Sequence, residues 1–199
     1  MTIWNPKRVK PYFVLRDDEL AWDDLRFPFI GRNIDTTSGR LGYNYTEVGI
    51  FFAANARYAA TEQVSIVVQF PHAWKSESAI CPHIHWIQGQ NVIPNFLMEY
   101  RIYKNGTVPP VTWTKATLQD HAFPYSAGGL QLSSFADIDM TGIDSVSAIM
   151  DIKFFRDTTN GSGLFGADPY TGDVLVKELD IHYQVDSLGS FTEYSKEIT

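Results

Sequence analysis

The chain has 199 residues, 44% of them hydrophobic and 14% aromatic, with a formal net charge of −7 and a pI near 5.1. That is enough apolar material for one sizeable core, and the acidic balance excludes a general nucleic-acid binder, which needs a basic surface. A single cysteine, Cys81, rules out an intrachain disulfide, and no apolar run reaches the roughly 18 residues of a membrane span or resembles a secretory leader.

Residues 1–20 carry Pro6 and Pro11 and little periodicity, so they are expected to form an extended N-terminal arm. Residues 21–199 are expected to form one domain. Trp22-Asp23-Asp24-Leu25-Arg26-Phe27-Pro28-Phe29 is followed by a polar, glycine-containing loop over residues 31–42. The apolar run Val48-Gly49-Ile50-Phe51-Phe52 predicts a strand. In the next segment Val64, Ile66, Val68 and Phe70 alternate with Ser65, Val67 and Gln69, the period of a half-buried strand closed by Pro71.

The segment Cys81-Pro82-His83-Ile84-His85-Trp86-Ile87 predicts a strand in which His83 and His85 share one face and Ile84 and Trp86 the other. The imidazoles then stand roughly 6–7 Å apart along the strand. Residues 96–103 alternate likewise, with Glu99 on the face opposite Phe96, Met98 and Tyr100. Lys104-Asn105-Gly106-Thr107 is a turn signal. Short strands are expected over residues 111–117 and 130–138, and a further one around Met150, Ile152 and Phe154. Residues 157–172 read as a loop. The last strand, residues 173–185, is expected to alternate strictly, with Leu175, Lys177, Leu179, Ile181 and Tyr183 on one face. Val174, Val176, Glu178, Asp180, His182 and Gln184 take the other. Eight or nine strands, no helical period of useful length and no repeat predict an all-β antiparallel sandwich, most simply a jelly roll, with a barrel as the alternative.

Three kinds of chemistry fit these residues. His83, His85 and Glu99 could ligate a metal as in a cupin-like enzyme, since an H-x-H strand supplies two imidazoles to one face. The spacing departs from the cupin pattern, because residues 86–90 hold no carboxylate. Glu178, Asp180 and His182 share a face and offer acid/base groups, although alternating charge on a strand is commonly its solvent side. Trp74, Trp86 and Trp113 could stack on sugar in a carbohydrate-binding module for a host surface, although core packing also explains aromatics at this density. Cys81 lacks the surroundings of a nucleophile. No P-loop, dinucleotide-binding glycine pattern, C-x-x-C or H-E-x-x-H occurs.

Several segments resemble a group of tailed-bacteriophage proteins. They are Trp22-Asp23-Asp24-Leu25-Arg26-Phe27-Pro28, Gln69-Phe70-Pro71-His72-Ala73-Trp74, the segment from Cys81 to Ile87, and Leu179-Asp180-Ile181-His182-Tyr183-Gln184-Val185 continuing to Ser190. The resemblance runs from about residue 22 to the end and brings no catalytic residues with it. It implies a virion structural protein of the head, neck or tail, assembled in a host cytoplasm. Such a protein is expected to work without catalysis or cofactor, to form a homo-oligomer with a trimer favoured, and to dock on other virion proteins. Neither nucleic acid nor a membrane is expected as a partner.

Overall fold

The computed structural model describes residues 21–29, 41–42, 49–56, 58, 63–121 and 124–186. The expected arm and most of the loop at residues 31–42 lie outside the described residues. No helix occurs among the described residues; ten strands do. They are β1 (Ala21–Pro28), β2 (Leu41–Gly42), β3 (Ile50–Phe52), β4 (Gln63–Gln69) and β5 (Ile80–Gln88). After these come β6 (Phe96–Tyr103), β7 (Thr114–His121), β8 (Gly129–Phe135), β9 (Ile149–Arg156) and β10 (Val174–Val185). All pairings are antiparallel, in the order β2-β3-β10-β5-β8-β7-β6-β9-β4, with β1 also on β10.

This order is a nest of pairs, β3 with β10, β4 with β9, β5 with β8 and β6 with β7. It is the winding of a jelly roll. One sheet holds β3, β10, β5 and β8, with β1 beside β10; the other holds β4, β9, β6 and β7. β7 belongs to both: Thr114 to Thr117 pair with β6, and from Leu118 the strand pairs with β8, with a register shift between Leu118 and Asp120. Such an irregularity bends a strand, which lets it turn the corner between sheets.

The core lies between the sheets and is strongly aromatic. Phe154 is its centre, with the rings of Phe96, Phe52, Phe29 and Phe135 at 4.9, 5.3, 5.8 and 6.3 Å. Offset and edge-on contacts of this kind add to the area the rings bury. Alternation holds in β4, β6 and β9, where Val68, Met98 and Met150 point inward.

The last strand departs from strict alternation. Its pairing with β5 slips between Val176 and Glu178, so Lys177 is an extra residue in a bulge. Val174 and Val176 therefore join Leu179, Ile181 and Tyr183 in the core, rather than sharing a face with Glu178 and Asp180. The bulge keeps both the apolar start of β10 and its apolar end facing inward, while turning Glu178, Asp180 and His182 outward.

Candidate functional site: a histidine–aspartate face on the outer side of one sheet

β5 and β10 are neighbours, and their register places His83 opposite Asp180, His85 opposite Glu178 and Cys81 opposite His182. On the other side of β10, β1 places Asp24 opposite His182 and Arg26 opposite Asp180. Directly opposed residues share a face, so three strands bring His83, His85, Glu178, Asp180, His182, Asp24 and Arg26 to one surface. The inward face of the same strands carries Ile84, Trp86, Leu179 and Ile181, which bury it in the core.

Asp180 is the hub. Its Oδ2 lies 3.2 Å from His85 Nε2, 3.5 Å from His83 Nε2 and 3.9 Å from Arg26 Nε. His83 and Asp180 are buried, each only 3% exposed, and His85 is half-buried. Asp180 Oδ1 is buried with no hydrogen-bond partner. A buried acceptor left without a donor costs about 1–3 kcal/mol, and more when it carries charge.

The surroundings hold this cluster in place. The His182 ring meets His83 at a tilt, centroids 4.3 Å apart, and its Nε2 lies 2.8 Å from Asp24 Oδ1. His83 and His85 have centroids 5.1 Å apart. Arg26 Nη2 donates to both Glu178 oxygens at 2.7 and 2.8 Å. That hydrogen bond, with the charges of Glu178 and Asp180, raises the guanidinium pKa further above its ordinary value. At the end of the face the Cys81 thiol is pushed up to about 11 by burial and then by its hydrogen bond to Asp137, so it is no nucleophile near neutrality.

The structure does not bring Glu99 to the histidines. It lies on β6 in the other sheet, opposite Lys115 and Lys153 in the register and facing away from Met98 and the core. Tyr58 donates its hydroxyl to Glu99, and the amines of Lys115 and Lys153 are each 3.9 Å away. Burial, and then this hydrogen bond, push the Tyr58 hydroxyl up to about 12. Asp151, another carboxylate, is held by Arg101 and Tyr103 on the same sheet. The carboxylate that meets the H-x-H pair is therefore Asp180. Its outward direction was legible from its alternation with Leu179 and Ile181. The contribution of Asp24 and Arg26 was not, because no strand was expected at residues 21–28. The signal for one was the alternation of Leu25 and Phe27 with Asp24 and Arg26.

The aromatic candidates divide. Trp74 and Trp86 sit in the core, where they cannot stack on a sugar, and Trp86 donates its indole N–H to Ser133 at 3.0 Å. Trp113 is half-buried under two cations, with Lys153 Nζ 3.9 Å and the Arg101 guanidinium carbon 4.7 Å from its ring centroid.

No family model matches the chain, and no curated protein matches it. Solved structures similar to it include the two that follow. Dimeric latent PorU from Porphyromonas gingivalis is 12% identical with a TM-score of 0.35, over 89% of this chain but 14% of that one. The carbohydrate-binding module TmCBM27, described for specific mannan recognition, is 13% identical with a TM-score of 0.33, over 81% of this chain and 88% of that one.

Proposed function

We propose that this chain is a structural component of a bacteriophage particle, a head-decoration, neck or tail protein that oligomerises and docks on other virion proteins. The resemblance of the segments at residues 22–28, 69–74, 81–87 and 179–190 to tailed-phage proteins supports this reading. A jelly roll suits it, because its two sheets bury the core between them and leave the loops to supply lateral contacts.

One observation carries the docking role. The loop between β6 and β7 holds Val108-Pro109-Pro110-Val111, and its two valines are 88% and 91% exposed. The loop is nevertheless held in shape. Thr107 N and Oγ1 both donate to the Lys104 carbonyl, Lys104 Nζ pairs with Asp144 at 2.9 Å, and Arg101 Nη1 donates to the Pro110 carbonyl at 3.1 Å. Two prolines fix φ, so little conformational freedom remains to be lost on binding. An apolar tip shaped in advance and shown to water suits contact with another protein.

The test is made on particles from cells that express the chain during phage production. Mass spectrometry and immunogold labelling should find it as a fixed-copy component. The paired substitutions Val108→Asp and Val111→Asp should deplete it from particles while the soluble protein still folds. Absence of the wild-type chain from purified particles would overturn the reading.

A further inference from the structure

We propose that His83, His85 and Asp180 form a binding site for one divalent transition-metal ion of the zinc class, with β5 giving two ligands and β10 the third. The three donor atoms lie within 4.8 Å of one another, and the two nitrogen-to-oxygen separations are 3.2 and 3.5 Å. Ligands at about 2.0–2.1 Å around a tetrahedral zinc stand about 3.3 Å apart. The carboxylate therefore already sits at ligand spacing from each imidazole.

A second observation points the same way. Asp180 is 3% exposed, and its Oδ1 has no hydrogen-bond partner. A cation bound by this carboxylate would compensate a charge that the protein leaves half-served. Two imidazoles with one carboxylate suit zinc, iron or manganese, whereas calcium and magnesium favour all-oxygen sites. The His182 ring, itself tied to Asp24, packs edge-on against His83 and restricts how that ligand can turn.

Arg26 is the competing cation. Its Nε is 3.9 Å from the Asp180 oxygen that both histidines approach, and its side chain is 63% exposed. Its 3.9 Å contact with Asp180 is looser than its hydrogen bonds to Glu178, so the guanidinium can turn from Asp180 toward Glu178 when a dication arrives, leaving a fourth position for water. Loss of its charge should then strengthen metal binding, an effect opposite in sign to loss of a ligand.

The full chain is stripped with chelator, and Zn2+ binding is measured by calorimetry, with Co2+ titrated for its visible spectrum and Mg2+ as control. Wild type should bind one equivalent of Zn2+, give the intense d–d bands of a low-coordinate cobalt site, and ignore Mg2+ at equal concentration. Asp180→Asn and His85→Ala should each weaken Zn2+ binding at least tenfold, and Arg26→Ala should tighten it several-fold. His85 is the most exposed of the three ligands, so His85→Ala carries the test if the Asp180 variant does not fold. The proposal is overturned if Zn2+ does not saturate at one equivalent, if Mg2+ binds as well, or if His85→Ala leaves affinity and cobalt spectrum unchanged.

Discussion

Arg156 and Asp168 form a buried ion pair, Nε to Oδ2 at 2.9 Å, with side chains 0% and 3% exposed. The rest of the guanidinium donates to the carbonyls of Phe52, Ala53, Tyr170 and Gly172. Asp168 Oδ1 accepts from the backbone N–H groups of Asn95 and Tyr170. One side chain at the end of β9 thus anchors the loop at residues 157–172 and the end of β3. Removing one member of a buried pair leaves the other charge uncompensated, at about 3–5 kcal/mol. Arg156→Ala should lower unfolding stability by that amount in urea titrations. Arg156→Lys should recover little, because an ammonium cannot reproduce the planar fork.

Gly49 should not tolerate a side chain. Its φ is +144°, and a Cβ there would lie 2.6 Å from the Val176 carbonyl oxygen and 2.8 Å from Leu175 Cδ1. Gly49→Ala adds backbone strain of about 1–3 kcal/mol to that clash. The predicted result is a lower melting temperature by calorimetry, with the loss exceeding that of an alanine at the open glycine Gly106.

The aromatic centre should dominate stability. Phe154→Ala removes a ring contacted by four others and should cost about 3–5 kcal/mol. Val67, on the outward face of β4 and 67% exposed, should change by no more than about 0.5 kcal/mol on substitution by Thr. Chemical denaturation of both variants checks the contrast.

Alkali should unfold the protein in a defined window. Cys81 is raised to about 11 from 9.0 and Tyr58 to about 12 from 10.0, and Tyr183 is raised too, by burial and then by its bond to Asp23. All three favour the neutral form in the native state. The unfolded chain therefore loses protons first as pH rises, and stability must fall. The contribution is whole below pH 9 and is lost as pH climbs through the range from 9 to about 12. Urea midpoints measured across that range should decline steadily. Thiol-specific reagents should label Cys81 slowly at pH 8, with unfolding in denaturant restoring an ordinary rate.

The sequence carried much of the fold but little of the assembly of the site. Alternation sufficed to put His83 and His85 on one side and Ile84 and Trp86 on the other, because that rule is local. Which carboxylate joins them is a question of strand order, and sequence proximity pointed to Glu99 on β6. The nested winding instead lays β10 against β5, which delivers Asp180. The bulge at Lys177 was hidden because Val174 and Val176 keep an unbroken two-residue rhythm with Glu178 and Asp180. β1 was hidden by Asp23, Asp24 and Pro28, residues that seldom favour strands. It forms where Leu25 and Phe27 can pack against the core, and Pro28 is tolerated at its end. The strand expected at residues 111–117 begins at Thr114 and runs on to His121, because the apolar Val111 belongs to the exposed loop.

The nested winding also sets how the chain must reach its native state. Phe52 and Val174 are sheet neighbours from distant parts of the chain, and β1 closes on β10 across a longer stretch still. Little of this pairing can form early at low entropic cost, and the pairs closed by the shortest connections, β2 with β3 and β7 with β8, have the least to lose. High contact order of this kind gives refolding in milliseconds to seconds. The face that joins His83, His85 and Asp180 to Arg26 then exists only after the most remote strands have met, so the intact cluster is a marker of completed folding.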